Sequence, residues 1–587
     1  MKEIIAQIKQ YKKDTILTPL FSALEVFMEV LLPFITAKII DDGIQKANMQ
    51  NVYIYGAIMV VAATISLLSG ILAGKFAAAA SSGLACNLRE KIYRTIQGFS
   101  FSNIDKFSTA GLVTRMTTDI TNVQNAFQMV IRIAVRAPLM LICSMIMSFS
   151  IHVEMSLMFL IALVFLGAIL ITIIRFAMRY FSEAFNKYDD LNASVQENIS
   201  AIRVVKAYVR EDHEQKKFAQ ASGNIYKLFS RAERVVILNN PVMMLVIYAC
   251  VIAISWFGAK YIVVSETLTT GELTSLFSYI ISSLMSLMML SMIFVMLSMS
   301  TASIKRISEV LKEQPDLTDP EKPSTDMKDG SVDFNNVSFS YKQRSGENVL
   351  SNIDIHVKSG ETIGIIGSTG SGKTSLVSLI SRLYDVTDGS VCVGGKDVRD
   401  YDMEYLRNQV SVVLQKNVLF TGTILDNLRW GNENATEEEC ISACRAACAD
   451  EFIERFPDKY NTMIERGGAN VSGGQKQRLC IARALMKKPK ILILDDSTSA
   501  VDTATDAKIR EAFKTSIPGT TKFIIAQRIS SVQDADRILV LDEGRVNGFG
   551  SHDELMESND IYREIYESQI KGGGDFDNPA VSGKEAL

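Results

Sequence analysis

The stretch "ETIGIIGSTGSGKTSLVSLISRLY", residues 361–384, decides how the C-terminal half of this chain folds. It reads as an apolar strand, a glycine loop and an amphipathic helix, in that order. Gly367, Gly370 and Gly372 let the backbone curl until its N–H groups face inward at the start of a helix. That arrangement suits a phosphate. Around those glycines Ser368, Thr369, Ser371 and Ser375 complete the cradle. Lys373 is placed to reach β- and γ-phosphates, and the Thr374 hydroxyl to reach Mg²⁺. A second apolar strand, in "ILILDDSTSAVD" (491–502), ends in Asp495. Strand, loop and helix followed by a strand ending in a carboxylate predict an α/β P-loop domain that binds ATP and Mg²⁺.

Outward from that segment the composition changes. The chain has 587 residues, too many for one compact core, so at least two domains are expected. Residues 1–311 carry 28 Lys and Arg against 21 Asp and Glu, net +7, and residues 312–587 carry 33 against 44, net −11. The basic half is also the apolar half. That fits a membrane domain with basic inner loops followed by an acidic soluble domain, and gives no reason to expect nucleic-acid binding. Eight cysteines are scattered without a CxxC pair, so neither a zinc site nor a redox pair is indicated. Cys440, Cys444 and Cys448 share a helical face and read as packing residues. The N-terminus "MKEIIAQIKQYKKD" is basic and amphipathic, and reads as a cytoplasmic elbow helix instead of a signal peptide.

Six apolar segments lie near 15–40, 53–74, 133–151, 154–176, 236–264 and 273–299. Each supplies the ~20 residues that cross a hydrocarbon core. The short loops 41–52, 151–154 and 261–272 hold one base between them, Lys46, whereas 85–132 and 177–235 hold many. Basic loops stay inside, so both termini are expected in the cytoplasm, at the cell membrane. The inner loops also read as helical, so the spans are expected to continue past the membrane and turn near 105–115 and 200–210. Glu25 and Glu29 sit one turn apart in the first span, and Arg136 sits in the third at similar depth. Two readings stand: a structural ion pair, or a polar wall of a substrate path that favours cations. In the sixth span Met285, Met289, Met292 and Met296 fall on one helical stripe with Met288 and Met299. Methionine there either fills gaps between helices or offers a soft face to varied apolar ligands.

"VSGGQKQR", 471–478, together with the glycine loop, Gln415 in "VVLQKNVLF" and "LDDSTSAVD", resembles the ATP-binding-cassette superfamily. Six spans followed by one cassette resemble an exporter half-transporter. The fold implied is an all-α six-helix transmembrane domain over 1–311, with long cytoplasmic helix extensions. A proline-bearing linker follows at 312–330, then an α/β P-loop nucleotide-binding domain at 331–570 and a disordered tail at 571–587. The resemblance implies two cassettes facing head to tail, each ATP held between one glycine loop and the other chain's signature. Ser472, Gly473, Gly474 and Gln475 would then grip ATP bound to the partner. Tyr341 matches the aromatic that stacks on adenine, and Gln415 the residue that senses Mg²⁺ and the γ-phosphate. Thr374, Gln415 and Asp495 make up the implied Mg²⁺ set. Asp502 matches the loop that crosses to the opposite site, and Glu465-Arg466-Gly467 the segment that meets the crossing helices.

The chain departs from the family pattern twice. Hydrolysing members carry Glu at the position of Asp496 and His at the position of Gln527; the four histidines here are at 152, 213, 356 and 552. Asp is shorter by about one C–C bond, and ~1 Å of misplacement costs ~10²-fold. Gln527 carries no proton that titrates near pH 7. The pairing resembles the degenerate-site half of bacterial heterodimeric multidrug exporters. It implies a partner half-transporter with Glu and His at the matching positions; the other partners expected are a small amphipathic or apolar substrate, toward which the Met stripe and the buried acids lean, and membrane lipid. A slow homodimeric exporter or lipid flippase is the first alternative. An ATP-gated regulatory membrane subunit is the second.

Overall fold

The computed structural model describes residues 2–341, 347–496 and 501–571. The tail expected to be disordered lies outside them from 572 onward. The chain divides into two units, Met1–Gly98 with Phe107–Glu313, and Phe99–Lys106 with Gln314–Leu587.

The first unit is built on helices. Among the described residues six are long and apolar enough to cross a membrane. The helix Met49–Gln97 has 49 residues. At ~1.5 Å per residue it outruns a ~30 Å hydrocarbon core about twofold, so part of it must stand in water. Val153–Ser200 (48 residues) and Thr270–Lys312 (43 residues) do the same. Around one proline the sixth span adds donors to backbone carbonyls of the first. Pro33 interrupts Lys12–Lys38, where Ser275 Oγ donates to the Pro33 carbonyl at 2.6 Å and the buried Tyr279 hydroxyl donates to the Val30 carbonyl at 2.8 Å. Those two bonds tie the sixth span to the first. Lower down, Asp119 is fully buried, but it is not an uncompensated charge. Arg306 donates to both its oxygens, at 2.8 and 2.5 Å, and Ser303 adds a third bond at 2.8 Å. Such a pair stabilises little over an apolar core, yet breaking it leaves a buried charge. The short helix Ile202–Ala207 joins Val153–Ser200 to Glu211–Val236 and buries none of its residues.

The second unit is a cassette of two sheets. Strands Arg545–Gly550, Arg537–Asp542, Thr362–Gly367, Thr521–Ile525, Ile491–Asp495 and Val410–Val413 lie side by side in that order, all parallel except the first. A four-stranded antiparallel sheet carries Val332–Phe339 between Leu350–Val357 and Asp388–Val393. One apolar core fills the space between the sheets. A second surrounds the helix Gly473–Leu485 and takes in Cys440, Cys444 and Cys448 as free thiols. Burial pushes the Cys444 thiol far above its ordinary range, as expected of an inert packing residue.

The parallel register sets the site. Ile525 stands opposite both Ile365 and Asp495. The glycine loop, the Asp495–Asp496 pair and Gln527 therefore leave the same carboxyl edge of the sheet on adjacent strands, where open α/β sheets bind ligands.

Candidate functional site

The glycine loop has the backbone its sequence requires. Gly367 (φ 157°) could take no side chain: a Cβ would stand 2.1 Å from the Leu541 carbonyl and 2.7 Å from Ser371 Oγ. Gly372 (φ 92°) caps the helix Lys373–Ile380 in the left-handed region. Lys373 Nζ donates to the carbonyls of Gly367 and Ser368 at 2.9 and 2.8 Å, so its ammonium lies folded over the cradle. Burial lowers its pKa, and the nearby Asp496 and Asp495 charges oppose that shift. Ser371 Oγ is buried without a partner. A buried hydroxyl with no bond, on the glycine loop beside Gly367, suits a polar ligand atom such as a phosphate oxygen.

Thr374 Oγ1 donates to Asp495 Oδ1 at 3.0 Å. Burial raises the Asp495 pKa first, the adjacent Asp496 adds to it, and Thr374 and Lys373 pull it back. A hydroxyl, a carboxylate and the Gln415 amide oxygen are hard oxygen donors, the set that suits Mg²⁺ beside phosphates. Among the described residues no three His, Cys, Asp or Glu side chains cluster.

Asp496 is the unusual member. It holds a left-handed backbone (φ 47°), its N–H reaches the Ile525 carbonyl at 3.2 Å, and it is 9 % exposed. Aspartate is among the few residues that tolerate this conformation. Its Oδ2 accepts from Gln527 Nε2 at 2.8 Å and from Gln415 Nε2 at 3.4 Å. Both glutamines thus converge on one carboxylate oxygen.

Two residues that matter here carry no sequence signal of their own. Gln569, on the C-terminal helix Asp560–Lys571, donates from Nε2 to the Gln527 carbonyl at 2.8 Å and accepts at Oε1 from the Ile529 N–H at 2.9 Å. One side-chain amide therefore clamps the backbone on both sides of Arg528. Tyr384 is the other. Its ring meets Tyr341 edge-on at 5.1 Å and Phe101 at 6.1 Å, and its hydroxyl donates to Asp105 at 2.9 Å. Tyr341 is half exposed, with its hydroxyl 2.8 Å from Ser375 Oγ. Segment Phe99–Lys106, which connects two spans in sequence, falls in the second unit, where Phe101 and Asp105 meet Tyr384. Only spatial proximity could have shown either contact.

The signature lies at a helix start. Ser472 caps Gly473–Leu485 and exchanges bonds with Gln475, Oγ accepting from its N–H at 3.3 Å and the Gln475 amide oxygen accepting from the Ser472 N–H at 2.9 Å. That capping box satisfies the Gln475 N–H and leaves the N–H groups of Gly473 and Gly474 facing outward. Asp502 caps Thr503–Ser516 and accepts from the Thr505 N–H at 2.9 Å, which holds its carboxyl below the usual range. Ser497–Ala500, between it and Asp496, lies outside the described residues. Glu465 and Arg466 are exposed, and Gly467 turns with φ 68°.

In the spans, Arg136 Nη2 stands 2.8 Å from Glu29 and 3.5 Å from Glu25, so one base engages both acids. Met285, Met289 and Met292 are exposed at 42, 43 and 67 % and Met296 is half-buried, so the stripe does not serve as this chain's own core.

With this geometry in place the comparisons are specific. Residues 15–288 match the family model for the ABC transporter transmembrane region, and residues 350–499 match that for the ABC transporter. An uncharacterized ABC transporter ATP-binding protein, YfiB of Bacillus subtilis (strain 168), is 36% identical over 97% of this chain and 99% of its own. The uncharacterized ABC transporter ATP-binding protein Rv1273c of Mycobacterium tuberculosis (strain H37Rv) is 34% identical over 96% of this chain and 97% of its own. A solved bacterial Atm1-family ABC exporter with ATP bound superposes with a TM-score of 0.81 over 98% of this chain and 100% of that one. At 23% identity that likeness concerns the fold.

Proposed function

The chain belongs to the ABC transporter family as an exporter-type half-transporter, a multi-pass membrane protein with a cytoplasmic nucleotide-binding domain, and from that premise we propose that it is the ATP-holding subunit of a heterodimer. The observation that carries this reading is the double capture of Asp496 Oδ2 by Gln527 and Gln415. A general base must accept a hydrogen bond from the water it activates. Here the short carboxylate is already bonded to two amides, and neither amide can take the proton onward.

The division of labour follows. The glycine loop, Lys373 and Thr374 hold ATP·Mg, with Asp495 and Gln415 on the ion and Tyr341 on the adenine. The bound nucleotide stays, because nothing beside its γ-phosphate activates water efficiently. Ser472, Gly473, Gly474 and Gln475 complete the partner's site, where a glutamate and a histidine carry out hydrolysis. Asp502 links the two sites across the interface. Closure of the cassettes moves the segments near 105–115 and 200–210, and the spans turn an amphipathic substrate outward.

The test has two parts. Purified from its own cells in mild detergent, the tagged chain should bring down a different half-transporter bearing Glu and His at the matching positions. In that complex Asp496→Asn should leave total ATPase within about twofold, since removal of a base that is not used costs little. A complex containing only this chain, with its ATPase abolished by Asp496→Asn, would instead establish the homodimeric exporter.

A further inference from the structure

A cleft of about 680 Å³ opens among the first three spans, and five charged side chains line it: Glu25, Glu29, Lys75, Arg132 and Arg136. Three bases face two carboxylates, leaving one net positive charge. Arg136 takes up the acids, at 2.8 Å to Glu29 and 3.5 Å to Glu25. Glu25 keeps its second oxygen buried and without a hydrogen-bond donor. Arg132 makes one long bond, 3.5 Å to the Gly70 carbonyl. Among the described residues neither it nor Lys75 has a carboxylate within 4.0 Å.

The seat is shaped for these groups. Gly70 and Gly74 lie one turn apart on Met49–Gln97. A Cβ at 70 would stand 3.1 Å from Glu25 Oε1, and one at 74 would stand 3.3 Å from Arg132 Nη1. Small residues in a span ordinarily let two helix backbones approach; here they make room for charged side chains. Leu32, Leu67 and Ile71 line the remaining wall, and Leu67 and Ile71 are open at 63 and 58 %. Uncompensated cations in or at the edge of a span are costly, and they draw anions.

We propose that this cleft binds an amphipathic anion, with its carboxylate, sulfate or phosphate head on Arg132 and Lys75 and its tail along the Leu67–Ile71 face. The inference rests on the export reading above and gives it a substrate class. It departs from the cation-favouring wall that is one of the two sequence readings of Glu25, Glu29 and Arg136. The same head chemistry occurs in an exported solute and in an acidic phospholipid.

The experiment uses the full chain with its co-purified partner in nanodiscs of phosphatidylcholine, free of nucleotide, titrated with dansyl-labelled undecanoate and with its neutral amide. The anion should bind roughly tenfold tighter than the amide, the size of one close charge contact in a partly dry site. The double variant Lys75→Gln with Arg132→Gln should abolish that preference, leave the amide affinity unchanged as the check on folding, and regain it when Arg132 is Lys. Lys75→Gln alone should lose part of it. Equal affinity for acid and amide in the natural protein overturns the proposal; so does a preference that survives the double variant. Phosphatidylglycerol added at about one quarter of the disc lipid separates the sources, because competition identifies the lipid head and its absence identifies a solute. The mass of the co-purified chain reports on the heterodimer in the same preparation, so failure of one reading is seen apart from failure of the other.

Discussion

If this chain holds ATP without hydrolysing it, as proposed, placing Glu at 496 and His at 527 should speed turnover at its own site. The perturbation is Asp496→Glu with Gln527→His, in a complex whose partner glutamate has been changed to Gln so that only this site can turn over. The structure sets the scale. Asp496 Oδ2 is committed to Gln527 at 2.8 Å, and a hydrogen bond to a charged group is worth ~1.5–3 kcal/mol. Freeing the carboxylate for water therefore accounts for roughly 10- to 150-fold. Its set-back of about one C–C bond accounts for another ~10²-fold. Together these reach the ~10²–10⁴-fold expected of a well-placed general base. We expect Asp496→Glu alone to raise single-turnover hydrolysis by about 10²-fold, because Gln527 still competes for the longer carboxylate, and the double variant to exceed it by at least about tenfold. The assay is rapid mixing of the complex with radiolabelled ATP, quenched over time, with bound nucleotide counted in parallel. If the double variant stays at the parent rate while binding ATP normally, the reasoning from Asp496 geometry fails. A parent site already within tenfold of an intact one would refute it as well.

Three further outcomes follow from particular contacts. Ser472→Arg should abolish the complex's ATPase without changing nucleotide held at this chain's glycine loop, because the signature serves the opposite site; trapped nucleotide per complex checks it. Gln569→Met removes both amide bonds to the switch backbone while keeping the side chain's length, so the Ile529 amide should exchange its hydrogen about five- to tenfold faster, near 1 kcal/mol for a net bond. The amide of Ile525, inside the sheet, should keep its protection, as peptide-level exchange mass spectrometry would show. Tyr384→Phe deletes the 2.9 Å bond to Asp105 but keeps the ring edge-on to Tyr341, so substrate stimulation of ATPase should fall several-fold while ATP affinity holds. Equal stimulation in the variant would remove Tyr384 from the coupling route.

Much of the fold is legible because its signals are local. A 24-residue strand–loop–helix motif carries its own geometry, since Gly367 and Gly372 stand where only glycine fits. Spans announce themselves by length and apolarity, and Met49–Gln97 with its neighbours occupies the apolar segments. Contacts between distant segments are not local, and there the sequence is silent. Nothing in "IYESQI" marks Gln569 as the clamp on a loop 40 residues earlier. Nor does Tyr384 disclose its bond to Asp105, 279 positions away.

By itself, then, the sequence determined the two-part architecture, the family and the departure from its pattern at Asp496 and Gln527, because motif chemistry and hydropathy are written in consecutive residues. Tertiary structure alone decided what that pair does with its hydrogen bonds. Parallel register brings Ile365, Ile525 and Asp495 level, and so delivers Gln527 and Gln415 to the same oxygen of Asp496. It also decided the charge of the membrane cleft. In the sequence Glu25, Glu29 and Arg136 allow either an ion pair or a wall that favours cations; the structure puts Arg136 on both acids, with Arg132 and Lys75 lining the same cleft. The sign of a site is a sum over everything that faces it, and a linear chain does not say which side chains will meet.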